Sequence, residues 1–148
     1  MMQVRDVDLA AARRMFGSLP SASVASLNPD GSPHVVPLWF VWPEDAMYLS
    51  TRRESRTWAN VSADPRIAVC VDLGRAWIEL AGIEIRGRVE LLAAEQALMR
   101  ASLSAWHEKY RPLLTGDGFG RFAEEIRGLA FLRLVPEWLA GWDHARGG

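Results

Sequence analysis

The segment from Val35 to Trp42, VVPLWFVW, constrains the fold more than any other part of this chain of 148 residues. An extended strand sends alternate side chains to opposite faces, and here both sets of positions are apolar. Such a strand must be covered on both sides, by a core on one face and by a partner chain or a ligand on the other. Pro37 has no N–H to donate to a sheet, so the segment fits an edge or a bulge better than a central position.

The sequence around this segment predicts a series of short antiparallel strands. Asn28-Pro29-Asp30-Gly31-Ser32 is a turn sequence, and it separates the strand SASVASL from an arm running from His34 to Trp42. With the later runs, the first two-thirds of the chain holds six candidate strands. These later runs are residues 47–51, residues 67–72 and two segments around Gly82 and Gly87; a final strand, 129–135, is expected to stop at Pro136.

Helical segments are predicted at four places, before, between and after these strands. Asp8 is a candidate N-cap for a helix that stops near Gly17, and residues 55–63 form a second helix that ends before Asp64-Pro65. From Ala93 onwards, apolar residues recur at helical spacing through residue 110, and a short helix is expected over 119–127. We therefore predict a mainly β fold, a small barrel with flanking helices, formed as one domain over residues 1–148.

Composition excludes several classes of function. The formal net charge is −1, which gives no bulk attraction to nucleic acid or to an anionic membrane. The single cysteine and three scattered histidines provide no metal-ligand spacing. The N-terminus lacks the features of a signal peptide, and no apolar run reaches the ~20 residues of a membrane span. We expect a cytoplasmic protein without a metal and without nucleic acid or membrane as a partner.

A cluster of hydroxyl and guanidinium groups follows the apolar strand. Ser50 and Thr51 end one strand, and Arg52, Ser55 and Arg56 lead into the next helix. The N-terminus of a helix presents free N–H groups and the positive end of its dipole, so it favours an anion. The ordinary alternative is that the arginines form a solvated helix face. We interpret the combination of apolar strand and basic helix start as the seat of a flat cofactor with a phosphate tail.

In order and spacing, these segments resemble the pyridoxamine 5′-phosphate oxidase-like flavin-binding split-barrel superfamily, and most closely its short flavin- or deazaflavin-dependent reductases. The resemblance rests on GSPHVVPLWF, YLST, Ser55-Arg56, Asn60-Val61, Asp64-Pro65-Arg66, IEIRGRVE and Leu134-Val135-Pro136 before Trp142-Asp143. It covers nearly the whole chain. It implies a six-stranded antiparallel split barrel that forms a homodimer with two cofactor sites at the interface.

The resemblance also implies roles for individual residues. Val36 to Trp39 would lie along the cofactor ring, with Trp39 as a wall of the site, and Asn60 would fix the phosphate region. We also expect Trp142, a large aromatic residue in the tail, to pack near the ring, either of its own site or of the partner's. The cofactor-binding residues expected on this basis are Val36, Pro37, Leu38, Trp39, Ser50, Thr51, Arg52, Ser55, Arg56, Thr57, Asn60 and Trp142.

Two departures from the family pattern affect function. Members usually carry Lys or Arg directly after the Ser-Arg pair, whereas this chain has Thr57, which removes a charge-assisted contact unless Arg52 or Arg53 replaces it. The Arg-x-His ending of the true pyridoxamine phosphate oxidases is also missing, because the tail reads Gly141-Trp142-Asp143-His144. The resemblance therefore does not extend to oxidation of vitamin B6.

The sequence thus indicates an oxidoreductase in which FMN or coenzyme F420 carries a hydride between a donor and a small organic acceptor. The Arg-rich, Lys-poor composition slightly favours F420. No acid–base pair is recognisable, so no catalytic residue is named. Two alternatives stay open: a non-catalytic carrier of flavin, haem or another tetrapyrrole on the same scaffold, and a dimeric interaction domain with an empty groove.

Overall fold

The computed structural model describes residues 8–114 and 126–146. Within these residues the chain forms seven strands and three α-helices, with short 3₁₀ turns between them. The strands are β1 (Ala22–Leu27), β2 (Pro33–Leu38), β3 (Phe40–Val41), β4 (Tyr48–Arg52), β5 (Arg66–Leu73), β6 (Ala81–Leu91) and β7 (Leu129–Asp143). The helices are α1 (Leu9–Phe16), α2 (Arg56–Ala63) and α3 (Ala97–Tyr110).

All seven strands belong to one antiparallel sheet in the order β2-β1-β5-β6-β7-β4-β3. The two edge strands, β2 and β3, are separated in sequence by Trp39 alone. A flat sheet of seven strands would place its edges roughly 28 Å apart, far more than one residue can span. The sheet therefore curls until its edges meet, which confirms the predicted split barrel.

Trp39 interrupts what the sequence analysis predicted to be one strand from His34 to Trp42. β2 ends at Leu38, and Phe40 and Val41 pair with Leu49 and Tyr48 at the opposite edge of the sheet. With this two-residue strand the sheet has seven strands, one more than the six that the family resemblance implied. The prediction was wrong because closing the barrel requires the chain to change strand partners, and local alternation carries no information about that change.

The C-terminal half differs from the predictions in two further ways. The two strand-like runs around Gly82 and Gly87 form one continuous strand, β6. β7 does not stop at Pro136 but continues to Asp143, because a bulge at Glu137, opposite Arg86 and Gly87 of β6, shifts the register next to the proline. The tail therefore belongs to the sheet. The helix expected over 119–127 lies largely outside the described residues.

Local signals located the helices well. Asp8 caps α1 by accepting a hydrogen bond from the N–H of Ala11 at 2.6 Å, and Ser55 caps α2 by accepting from Trp58 at 3.1 Å. The predicted hairpin turn is also confirmed, with Gly31 at a φ of +84° between β1 and β2. Caps and turns depend on residues only a few positions apart, so the sequence alone specifies them.

Two apolar clusters stabilise the barrel. The main core fills its interior and receives Ala12 and Phe16 from α1. The second cluster lies under α3, where Trp106 and Tyr110 pack against Tyr48, Phe131 and Val41, which are all buried. The barrel wall at β3 and β4 is therefore covered by α3.

The outer face of β2 is uncovered within a single chain. Val36 and Leu38 point inwards opposite the buried Val24 and Ala22, whereas Val35 is 65% exposed and Pro37 is exposed as well. As predicted from Pro37, β2 is an edge strand. Among the described helices, none combines the length and apolar character that crossing a membrane requires.

Gly87 and Gly82 of β6 both lie close to β7, and alanine substitutions at the two positions can be compared to test how closely the two strands pack. A Cβ at Gly87 would lie 2.1 Å from the backbone oxygen of Val135, whereas one at Gly82 would meet the ring of Trp142 at 2.2 Å. Backbone cannot move aside, but the outward-facing indole can. We expect Gly87→Ala to lower the free energy of unfolding by about 3 kcal/mol and Gly82→Ala by about 1 kcal/mol. Equal losses in urea denaturation would contradict this account.

Candidate cofactor site

The site is organised around the carbonyl of Trp39, the residue that links the two edges of the sheet. Its oxygen accepts hydrogen bonds from the backbone N–H of Ser50 at 2.9 Å and from the Ser50 hydroxyl at 2.8 Å. The same hydroxyl accepts from the indole N–H of Trp106 on α3, at 3.1 Å. Ser50 is therefore buried at the junction of β2, β4 and α3.

The ring of Trp39 faces α3. It stacks on Tyr110 with ring centroids 4.0 Å apart and planes 11° from parallel, and it lies 5.7 Å from the ring of Trp106. Trp39 itself is half-buried. One side of the indole is thus supported by two aromatic residues, so its position is defined before any ligand binds.

The next residue, Phe40, is held through its backbone. Its N–H donates to the Tyr110 hydroxyl oxygen at 2.8 Å, and its carbonyl oxygen lies 2.8 Å from the same hydroxyl. The ammonium group of Lys109 donates to that carbonyl at 2.8 Å and to the carbonyl of Gly17 at 3.0 Å. The C-terminal end of α3 is thereby bonded to Phe40, where the chain passes from one edge of the sheet to the other.

The start of α2 lies at the other end of the candidate site. Ser55 caps the helix, and its hydroxyl is 2.8 Å from that of Thr51. The first N–H groups of α2, those of Arg56 and Thr57, lie in the turn for which helix geometry provides no partner. Arg56 is exposed, and within the described residues its guanidinium has no ion-pair partner. These groups can receive an anion.

The neighbouring arginines are arranged differently. Arg52 lies 3.6 Å from the carboxylate of Glu54, and the guanidinium of Arg53 lies over the ring of Trp58. Arg56 instead lines a cavity of about 320 Å³ between α2 and the β1–β2 turn, together with Asn28, Gly31 and Ala59 among others. Val36 to Trp39 do not line this cavity, so it is separate from the apolar strand.

Asn60 and Thr57 point into the protein. The Asn60 side chain donates to Ser26 and to Asn28, both at 3.1 Å, and so ties α2 to β1 and its turn. Its amide oxygen is buried and has no hydrogen-bond partner among the described residues. Thr57 is also buried, on the inner side of α2. A Lys or Arg at that position would have to extend out of the interior to reach a phosphate.

Trp142 lies far from the rest of the candidate site along its strand. It pairs with Gly82, whereas Phe131, near the start of the same strand, pairs with Ser50. At about 3.3 Å per residue, the two positions are separated by roughly 35 Å of strand. The role expected for Trp142 beside a cofactor stays a prediction.

The structure thus brings together part of the predicted set. Two hydrogen bonds, Ser50 to Trp39 and Thr51 to Ser55, together with the peptide bonds Ser50–Thr51 and Ser55–Arg56, make a path of linked residues from the end of β2 to the start of α2. Because Ser50 and Thr51 are neighbours on a strand, their side chains lie on opposite faces of the sheet. Val36, Pro37 and Leu38 lead into this path along β2, while Arg52, Asn60 and Trp142 point elsewhere or lie apart. Sequence reasoning placed Trp106 and Tyr110 on a packing face, and it assigned no role to Lys109, the only lysine of the chain.

The family profile described as pyridoxamine 5′-phosphate oxidase matches residues 9–143, which is most of the chain. The chain belongs to the pyridoxamine 5′-phosphate oxidase family. The solved structures similar to this member of the family include a conserved hypothetical protein, Rv2991, from Mycobacterium tuberculosis. Its TM-score is 0.76 at 23% identity, with 97% of this chain and 91% of that chain covered.

Two other structural relatives differ in their described function. One is an F420 reductase with a TM-score of 0.66 and 18% identity, covering 92% of this chain and 98% of its own. The other is HutZ, the heme storage protein from Vibrio cholerae, with a TM-score of 0.69 and 13% identity, covering 86% and 90%. At these identities the likeness shows the shared fold. No curated protein sequence matches the chain at a significant level.

In this member of the pyridoxamine 5′-phosphate oxidase family, the polar groups nearest the end of β2 already have protein partners. The Ser50 hydroxyl has a single proton and donates it to Trp39, so it has none left for a phosphate oxygen. Phosphate binding by Ser50 was predicted from its position and stays a prediction. Within the described residues, no three His, Cys, Asp or Glu side chains converge in a manner suited to a metal ion.

Ser50 offers a test of this junction. Ser50→Ala removes the bond to the Trp39 carbonyl and the acceptor for the Trp106 indole in a buried setting, so we expect a loss of about 2 kcal/mol in the free energy of unfolding. Ser62→Ala is the control, because the Ser62 hydroxyl also bonds a backbone carbonyl, that of Trp58 at 2.7 Å, but on an exposed helix face. A change of at most about 0.5 kcal/mol is expected there.

Lys109 should make stability depend on pH. Burial lowers the pKa of Lys109 from 10.5 to about 8. Between these values the unfolded chain binds more protons than the folded chain, so the free energy of unfolding should increase as the pH rises from about 8 towards 10.5. Lys109→Met should show a smaller increase, because groups common to both proteins cancel in the difference.

The titration itself can be observed directly. Since Lys109 is the only lysine, protein labelled with ¹³C-lysine gives a single ε-carbon signal whose midpoint reports its pKa. A midpoint near 10.5 would contradict the burial of this amine.

Proposed function

We propose that this chain is a flavin- or deazaflavin-dependent oxidoreductase that transfers a hydride between a reduced cofactor, FMN or coenzyme F420, and a small organic acceptor. The observation that carries the proposal is the path from Trp39 through Ser50, Thr51 and Ser55 to Arg56. It joins an apolar edge strand to a basic helix start. A planar ring with an anionic tail has the shape and charge that this surface would bind.

The residues present fit such a cofactor at both ends. The exposed Arg56 and the first N–H groups of α2 would hold the phosphate, while Val36 to Trp39 would lie along the ring. The cofactor supplies the hydride chemistry when bound. The protein would supply position: Trp39 is fixed from behind by Tyr110, and Ser50 fixes the strand end to β4.

We further propose a homodimer with the cofactor at the interface. Supporting this, the outer face of β2 carries exposed Val35 and Pro37, and adjacent positions of β1 and β5 continue the surface with Ala25 and Ala68, which are half-buried. Because β2 is apolar on both faces, its outer face also needs to be covered, and a second chain packed against it would do so. A molar mass in solution near 16.5 kDa by light scattering, the mass of one chain, would contradict the dimer.

A non-catalytic carrier of flavin, haem or another tetrapyrrole is the second candidate. It is favoured by the absence of a free acid or base next to Trp39 among the described groups, since Ser50 and the Thr51–Ser55 pair are engaged with one another or with backbone. Turnover separates the two functions. A bound, reduced cofactor that no quinone, enone or tetrapyrrole acceptor reoxidises would identify a carrier.

Binding of the cofactor is tested by titrating the protein with FMN, riboflavin and F420 and following fluorescence. Arg56→Gln removes a charge-assisted contact to phosphate, so affinity for FMN or F420 should fall roughly tenfold or more. Affinity for riboflavin, which has no phosphate, should stay the same. Arg14→Gln is the control, since Arg14 is an exposed arginine on α1. A wild-type protein that binds none of these molecules would refute the proposed function.

A further inference from the structure

The last turn of α3 holds both backbone groups of Phe40, while the neighbouring carbonyl of Trp39 is held by Ser50 of β4. In an extended residue the N–H and C=O groups point to the same side, and both groups of Phe40 meet the Tyr110 hydroxyl at 2.8 Å. Lys109 adds a second donor to the same carbonyl, also at 2.8 Å. Phe40 is fully buried, so water cannot replace these partners.

Tyr110 acts on the backbone and on the indole at once. Its hydroxyl accepts from the N–H of Phe40 and can donate its one proton to the carbonyl of Phe40 or of Pro20, both at 2.8 Å, while its ring stacks on the ring of Trp39 at 4.0 Å. Any shift of the Tyr110 side chain must therefore move both the Phe40 backbone and the indole ring of Trp39. Lys109 opposes such a shift, because its ammonium lies 3.7 Å from the centre of the Phe40 ring and also binds the carbonyl of Gly17.

The contacts at the start of α2 are made by other elements. Ser55 bonds Thr51 of β4 and its own helix, and Arg56 faces the β1–β2 turn. None of these contacts involves α3. The ring end and the phosphate end of the candidate site therefore have separate supports, so they can be disturbed separately.

We infer that Tyr110 and Lys109 are positioning residues for the cofactor ring, acting through the Trp39–Phe40 peptide and leaving phosphate binding to α2. This inference rests on the proposed function, because it concerns the ring of the cofactor proposed there. It goes beyond that function in assigning ring affinity to two residues of α3 that support Trp39 and Phe40 and are not themselves among the residues proposed to contact the cofactor.

The test uses Tyr110→Phe, which removes the hydroxyl and keeps the ring stack. The matched control is Tyr48→Phe, since Tyr48 is as buried in the cluster under α3 as Tyr110 is. The hydroxyl of Tyr48 donates to Asp45 at 2.5 Å and does not bind the Trp39–Phe40 peptide. Lys109→Met is a second variant that keeps the length of the side chain. Thermal denaturation first establishes that each variant is folded at the assay temperature.

Two readouts follow. Amide hydrogen exchange of the protein without cofactor should show faster exchange at Phe40 in Tyr110→Phe than in Tyr48→Phe. With cofactor, Tyr110→Phe should weaken FMN and riboflavin by the same factor, roughly fivefold for one buried hydrogen bond, and shift the visible absorption of the bound ring. If the protein prefers F420, that coenzyme and its phosphate-free deazaflavin chromophore replace FMN and riboflavin.

The outcomes distinguish the inference from the proposed function. If the hydrogen exchange rate of the Phe40 amide is unchanged in Tyr110→Phe, the idea that Tyr110 holds the Phe40 backbone is overturned. Changed exchange with unchanged ring affinity and absorption overturns the positioning role while leaving the proposed function intact. A loss confined to the phosphate-bearing cofactor also overturns it, because that pattern belongs to Arg56. If the wild-type protein binds no flavin or deazaflavin, the proposed function fails and the inference fails with it, whatever the exchange data show.

Discussion

The rest of the structure depends on one buried arrangement: the peptide at Trp39–Phe40, where the chain passes from one edge of the sheet to the other. A curled sheet closes only if this passage is held, since a single residue links strands that the sheet order places furthest apart. Backbone groups buried at such a point need partners. They find them in the hydroxyl of Ser50 and in the side chains of Tyr110 and Lys109.

This arrangement explains why α3 contains both aromatic and basic residues in its last two turns. Lys109 and Tyr110 follow Trp106 by three and four residues, so the three side chains leave the helix on the same side. Lys109 and Tyr110 bind Phe40, and Trp106 binds the Ser50 hydroxyl that bonds Trp39. Lysine suits this position because its long apolar stem can cross the cluster under α3 while its amine reaches two carbonyls. The helix is therefore part of the barrel closure rather than a cover added to it.

The same arrangement limits what the nearby polar residues can do for a ligand. A hydroxyl has one proton, and the proton of Ser50 is used within the protein. Thr51 and Ser55 bind each other, and Asn60 braces α2 against β1. Arg56 is different, because it is exposed and pairs with no described carboxylate. If a phosphate binds here, the helix start and this guanidinium carry most of the attraction, which is also where the family pattern is weakened by the buried Thr57.

Prediction from sequence succeeded where the cause of a structure is local. The caps at Asp8 and Ser55 and the turn at Gly31 each depend on groups within four residues, so the chain specifies them before it folds. Pro37 correctly indicated an edge strand, because a missing N–H has the same consequence in any fold. The candidate site was predicted from the same kind of signal, an apolar strand and a helix start with basic residues, and it stays a prediction.

The amino-acid sequence by itself therefore determined the elements, the edge position of β2 and the family of the fold. Only the tertiary structure decided that the strand breaks at Trp39, that β7 continues beyond Pro136 and that Ser50 faces inwards. The physical reason is distance along the chain. Ser50 bonds Trp39 eleven positions away, and Tyr110 bonds Phe40 seventy positions away. Which partners meet at such separations is set by the closure of the whole barrel, and no local pattern contains that information.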